Sequence, residues 1–147
     1  MYRVPPSEEA ATGAIMNEMS QTRDAAKSVL IVDDQEPFRA VARMVVRVAE
    51  GFEVLAEAET GEEAVSIARQ NGPEVVLMDI NLPGINGIEA TRQLLADRPA
   101  TAVILLSTYD ADSLPADADD SGAVRYIHKE DFSPDVLREV WDECSNP

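Results

Sequence analysis

Cysteine and histidine are almost missing from this chain, which has one of each, Cys144 and His128. A single cysteine excludes an internal disulfide and any thiolate cluster for zinc. A single histidine removes the imidazole sets that hold zinc or copper. Cys144 therefore reads as a free thiol near the C-terminus, and His128 as a strand-end surface side chain with no catalytic part. Basic residues are scarce too: 12 Lys and Arg stand against 28 Asp and Glu, for a net charge of −16. A field of that sign repels nucleic-acid and membrane phosphates, so direct nucleic-acid binding and membrane association are not expected. It favours a cation, a metal ion or a basic partner surface. No apolar run approaches the ~18 residues of a membrane span. The first residues, Met-Tyr-Arg-Val-Pro-Pro-Ser-Glu-Glu, lack the apolar centre of a secretory signal. The expected location is cytoplasmic.

What is present is a chain of 147 residues, 45% of them hydrophobic, enough for one domain with a real core. Residues 1–27 carry Pro5, Pro6 and Gly13 among polar residues without a sustained period, and read as a disordered N-terminal tail. Met16 and Met19 within it offer later start points. From Lys27 the pattern turns regular. Apolar runs at residues 28–32, 54–58, 75–78, 102–106 and 123–127 are short and rich in Val and Ile, as strands buried on both faces are.

Helical patterns separate the runs. Phe38, Val41, Val45 and Val48 share one helical face, with Pro37 in the first turn. Thr60-Gly-Glu-Glu63 forms a capping box, and Gln70-Asn-Gly-Pro73 stops the helix that follows. Ile88, Thr91, Leu94 and Leu95 line a third helix, halted at Pro99. Ser133-Pro134 starts a last one, lined by Val136, Leu137, Val140 and Trp141. Residues 110–121, with Pro115 and few apolar anchors, predict a short marginal helix. The order is strand–helix repeated five times, an α/β fold with a five-stranded parallel, doubly wound sheet, (βα)5.

Open sheets of this kind bind ligands at the carboxyl ends of their strands. Here those ends carry Asp33 and Asp34, then Asp79, then Ser107, then Lys129. Two carboxylates ~4 Å apart repel by about 4 kcal/mol at an effective dielectric of 20. Three need protons or a cation. With oxygen ligands alone on offer, magnesium is the natural ion. An ammonium and a hydroxyl on the same edge suit a phosphoryl group passing onto a carboxylate.

The stretches Val-Leu-Ile-Val-Asp33-Asp34, Val-Val-Leu-Met-Asp79-Ile-Asn-Leu-Pro83-Gly84-Ile-Asn-Gly87, Val-Ile-Leu-Leu-Ser107-Thr and Gly122-Ala-Val-Arg-Tyr126-Ile-His-Lys129 resemble the response-regulator receiver domain, the CheY-like family. The likeness covers residues 28–144 and leaves 145–147 as a short C-terminal end. It implies that Asp79 is the phosphoacceptor in a magnesium-dependent reaction. Asp34, Asp79 and the backbone carbonyl of Asn81 would hold the ion, with Asp33 acting through bound water. Lys129 would pair with the phosphoryl oxygens. Ser107 would move to the phosphate, with Tyr126 following it inward as the switch, and Pro83 and Gly87 would shape the loop that presents Asp79. The donor would be a histidine kinase or phosphotransfer protein. An unidentified downstream protein would read the face made by the fourth helix, fifth strand and fifth helix, and a homodimer is compatible with the family. Self-phosphorylation and self-dephosphorylation on Asp79 would be its only chemistry, without turnover of a separate substrate.

Competing readings stand beside these. Asp33 doubles as a candidate helix N-cap, Ser107 as a plain strand end, Lys129 as a solvated surface residue and Tyr126 as a fixed core aromatic. A phosphorylation-independent interaction module remains open, as does a haloacid-dehalogenase-like phosphohydrolase, although that family carries a second Asp where this chain has Asn81. Three positions depart from the common receiver pattern. Glu130 follows Lys129 where many receivers have proline on a cis peptide. Arg125 precedes Tyr126, where a small residue is frequent. Pro115 and its acidic neighbours replace the usual fourth helix. Tyr109 is expected to obstruct an in-line water and lengthen the life of the phosphoryl group. Arg39, Arg43 and Arg47 recur every four residues, either as a solvated face or as a docking stripe for an acidic partner. Asp110, Asp112, Asp117, Asp119 and Asp120 concentrate charge in a candidate output face. The chain reads either as a stand-alone receiver or as a piece cut before an output domain, and Ser145-Asn-Pro147 resembles an ending more than a linker.

Overall fold

The computed structural model describes residues 25–108, 118 and 120–145. Five parallel strands form one sheet: β1 (Lys27–Val32), β2 (Phe52–Ala58), β3 (Val75–Asp79), β4 (Ala102–Ser107) and β5 (Arg125–His128). Their order across the sheet is β2-β1-β3-β4-β5. Four α-helices accompany them: α1 (Glu36–Val48), α2 (Gly61–Asn71), α3 (Gly87–Asp97) and α4 (Pro134–Ser145). The expected helix at 110–121 and the tail at 1–24 fall largely or wholly outside the described residues, as does Tyr109.

Strands β3 and β4 are buried along their whole length, as unbroken aliphatic runs require. Alternate side chains feed two cores. Leu30, Val76, Met78 and Val103 pack with Ala64, Ile88 and Leu94 under α2 and α3. Val29, Leu77, Ile104 and Leu106 pack with Ala42, Val46, Leu137 and Val140 under α1 and α4. The last helix follows its expected pattern, with Ser133 Oγ accepting the Val136 amide.

Helix boundaries follow local chemistry. Thr60 Oγ1 accepts the Glu63 amide, and Glu63 reaches back to the amide of Glu59, one residue earlier than a strict capping box. Gly72 ends α2 with a left-handed φ of 60°. Replacing Thr60 by alanine is expected to lower stability by about 1 kcal/mol, read by denaturant unfolding.

Strand β1 begins at Lys27, where the regular pattern starts. Two expectations need correction. Strand β5 begins at Arg125 instead of Ala123. Gly122, at a φ of 96°, and the Ser121 hydroxyl, which accepts the Ala123 amide, hold the chain in a turn until then. The buried face of α1 is formed by Ala42, Val45 and Val46, with Ala49 just past its end, whereas Val41 and Val48 are more than half exposed. The charged residues of this helix gather on one side and leave a broad apolar arc, of which only part meets the sheet. Small alanines select it by letting the backbone approach the sheet.

The strand order reverses beside β1. The chain goes outward to β2 on one side and returns to β3 on the other. The ends of β1 and β3 are therefore neighbours, with Val32 paired to Met78, and their loops diverge to leave a crevice.

Candidate functional site

Three carboxylates meet in that crevice. Oxygens of Asp33, Asp34 and Asp79 all lie within 4.8 Å of one another. Asp33 and Asp79 are buried, and Asp34 is the more exposed member. The backbone orients them. Asp33 Oδ1 accepts the Gln35 amide at 2.8 Å and closes a tight turn, while Gln35 occupies the N-cap position of α1 without a side-chain cap bond. Gln35 Nε2 donates to Asp34 Oδ2 at 3.2 Å. Asp79 Oδ1 accepts the Asn81 amide at 3.3 Å.

Lys129 crosses from the end of β5 to complete the cluster. Its Nζ lies 2.6 Å from Asp33 Oδ2 and 3.6 Å from Asp79 Oδ1. The ammonium also stands 4.4 Å from the centroid of the Phe38 ring, a favourable cation–π approach. Lys129 is thus no solvated surface residue. Burial pushes the Asp79 carboxyl up to about 6, and repulsion from Asp33 adds to the rise. The Lys129 ammonium and the Asn81 amide work in the opposite direction.

The loop after β3 is shaped by a close backbone approach. A Cβ placed on Gly87 would lie 2.1 Å from the carbonyl oxygen of Asp79, so only glycine fits the first position of α3. The Gly87 amide donates to the Ile80 carbonyl at 2.9 Å, and Asn86 Oδ1 caps the helix through the Glu89 amide. Pro83 is exposed in the same loop, where Gly84 has a φ of 77°. Gly87→Ala should cost about 2 kcal/mol and displace Asp79, seen as lower denaturant stability together with slower phosphoryl labelling.

Ser107 is buried at the end of β4, paired across the sheet with His128. Tyr126 is half-buried on β5 and packs against the core beneath α2 and α3. The acidic segment after Thr108 is outside the described residues apart from Asp120, which is exposed.

The arginines of α1 have a different place from the one their spacing predicts. Arg39 donates to the Asp33 carbonyl at 2.7 Å, to Glu57 on β2 and to Glu36. Arg43 forks onto both oxygens of Glu57 and also meets Glu36, which holds its guanidinium firmly protonated and the Glu36 carboxyl below its ordinary range. These two side chains are internal ties, one of them directly to the acidic turn, and not free docking charges. Sequence gave no sign of Glu57 as their partner. The bulge that shifts the β1–β2 pairing after Val29 is what sets its register.

His128 ends β5 and is bonded on both sides of its ring. Its Nε2 lies 2.9 Å from the Thr108 carbonyl, and its Nδ1 lies 3.1 Å from the Glu130 amide nitrogen. No peptide bond among the described residues is cis, so the turn after Lys129 is held by these bonds instead.

Comparison with known proteins shows the family of the chain. The family model described as "Response regulator receiver domain" matches residues 29–142. The transcriptional regulatory protein DegU of Brevibacillus brevis is 38% identical over 85% of this chain and 52% of its own length. The response regulator UvrY of Escherichia coli is 40% identical over 69% of this chain and 47% of its own. The chain thus spans about half the length of these curated relatives. Among solved structures, the response regulator domain of Thermotoga maritima CheB superposes with a TM-score of 0.73 at 27% identity, covering 83% of this chain and 98% of that one. Among the described residues, no helix is long and apolar enough to cross a membrane.

Proposed function

Since this chain belongs to the response regulator receiver domain family of two-component signalling, we propose that Asp79 accepts a phosphoryl group from a phosphohistidine of a histidine kinase or phosphotransfer protein. The observation that carries this is the buried Asp33–Asp79–Lys129 constellation with Asp34 beside it. Receiver domains are signalling proteins and not enzymes that turn over a separate substrate, and the family assignment sets aside the phosphohydrolase reading.

The donor set fits a hard divalent ion. It is all carboxylate oxygen, the Asn81 amide already bonds Asp79, and no sulfur or imidazole is among the three clustered ligands. Asp34, Asp79 and Asn81 would hold magnesium, with Asp33 reaching it through water. Bound there, the ion supplies positive charge opposite the phosphoryl oxygens.

The protein's own groups do the rest. An Asp79 carboxylate oxygen forms the new P–O bond as the donor P–N bond breaks, and the leaving imidazole keeps the electron pair and takes up a proton. Lys129 leaves its pairing with Asp33 and Asp79 to face the equatorial oxygens, where it offsets their growing charge. Ser107 donates to the new phosphoryl group, and Tyr126 turns inward behind it, altering the β5 face that a downstream protein reads. A kinase partner places this chemistry in the cytoplasm.

The test is intact mass after incubation with magnesium and acetyl phosphate. One added phosphoryl group is expected, absent from Asp79→Ala and absent with a chelator. No gain under any condition would overturn the proposal in favour of an interaction module that works without phosphorylation.

A further inference from the structure

The only imidazole of the chain sits between the two loops that carry Lys129 and Ser107, and its partners define its chemistry. A carbonyl can only accept, so Nε2 must carry the proton toward Thr108. A backbone amide can only donate, so Nδ1 must be the bare nitrogen facing Glu130. Both bonds exist together in one species, the neutral ring protonated at Nε2.

Each partner adjoins the site. Thr108 directly follows Ser107, and Glu130 directly follows Lys129. The Glu130 amide opens the short turn Lys129–Asp131, which the Phe132 amide closes on the Lys129 carbonyl at 3.3 Å. That turn fixes the backbone from which the Lys129 side chain reaches Asp33. We propose that His128 is a positioning residue for phosphoryl acceptance: its neutral ring latches the end of β4 to the turn after β5, and proton uptake at Nδ1 opens the latch. This rests on the phosphoacceptor reading above and adds a control to that same site.

A proton on Nδ1 would point at the Glu130 N–H, turning a hydrogen bond into a repulsion. Histidine is the side chain whose charge ordinarily changes between about pH 5 and 8, so that is the range in which the latch is tested. The charged groups around the ring, among the described residues, are Glu130 and Asp131 on the turn, Glu139 on α4 and Arg125 on its own strand, all lining one groove with it. Lys129 is already engaged with Asp33.

The experiment follows the rate of magnesium-dependent labelling of the whole chain by acetyl phosphate across that pH range. Wild type, His128→Leu and His128→Asn are compared. Asp79 titrates in all three and contributes a shared step. The wild type is expected to show an additional acid-side loss that both variants lack. His128→Leu should label about fivefold more slowly at neutral pH, with the half-saturating acetyl phosphate concentration unchanged. His128→Asn, which can still accept the Glu130 amide, should recover most of that rate. Nitrogen NMR of the single ring in the wild type should show the Nε2-protonated tautomer. Identical rates and pH profiles for wild type and His128→Leu, or a ring protonated at Nδ1, would overturn the latch. A wild type that never labels would instead overturn the phosphoacceptor reading, and the ring spectrum would still decide whether the latch forms.

Discussion

Lys129→Ala is expected to slow phosphoryl uptake on Asp79 by about 10²–10³-fold, the usual effect of deleting one preorganised charge from a buried group-transfer site. The physical reason is local. The Lys129 ammonium lies between Asp33 and Asp79, and it is the only cation within salt-bridge distance of either carboxylate among the described residues. Without it, the growing charge on the equatorial oxygens has the metal alone to face. The Asp79 carboxyl should also move further above its present value near 6, leaving less of the nucleophilic carboxylate at neutral pH. Stability should fall as well. Asp33 is 1% exposed, and removing its partner leaves a buried charge at a cost of about 3 kcal/mol in the absence of metal. Magnesium should restore much of that loss but little of the rate. Lys129→Arg separates charge from shape, since a guanidinium cannot take the place of a point charge in so small a space. Time-resolved intact mass, paired with denaturant unfolding with and without magnesium, checks both parts. A Lys129→Ala protein that labels as fast as wild type would contradict the role given to the ammonium.

The second large effect concerns acid and Asp79. Its carboxyl is raised to about 6 in the folded protein by burial and by Asp33, against an ordinary value of 3.8. A carboxyl raised on folding is bound to its proton more tightly in the native state than in the unfolded chain. Its contribution to stability is therefore fully present below about pH 4 and is lost as pH rises through about 6. At pH 7 without metal, the ionised Asp79 should cost about 3 kcal/mol. Wild-type protein in chelator should accordingly become more stable as the pH falls from 7 toward 5. Asp79→Asn should be more stable than wild type at pH 7 by up to about 3 kcal/mol and should lose most of that dependence. Magnesium should stabilise wild type at pH 7 and stabilise Asp79→Asn much less. Equal stabilities of wild type and Asp79→Asn at pH 7 in chelator would show that the carboxylate is not under this strain. The same strain would be relieved by a cation, since a site that repels its own charge favours a positive ion.

Much of this was legible in the chain. Strands β3 and β4 are continuous Val, Ile and Leu because both their faces are covered, and that pattern needs no partner to be read. The caps Thr60 and Ser133 act within a few residues of themselves. The carboxylates stand at strand ends, and once the strands are parallel those ends share one edge. Other features were not legible. Helix α1 has a broad apolar arc, so only contact with the sheet decides that Ala42 and Val46 go inward while Val41 and Val48 stay out. Arg39 and Arg43 look like a free stripe until β2 brings Glu57 beneath them.

By itself, then, the sequence determined the alternation of strands and helices, their main stop signals and the identity of the charged groups at the strand ends. Those are local or periodic properties, written in neighbouring residues. Tertiary structure alone decided which of those groups meet. The reversal of strand order beside β1 places Asp33 and Asp34 against Asp79, and the crossing of Lys129 from β5 gives them their counter-charge. The bonds from Arg39 to Asp33 and from His128 to Thr108 likewise depend on segments that approach only when the sheet is assembled. Electrostatic energy depends on distance in space, which separation along the chain does not specify.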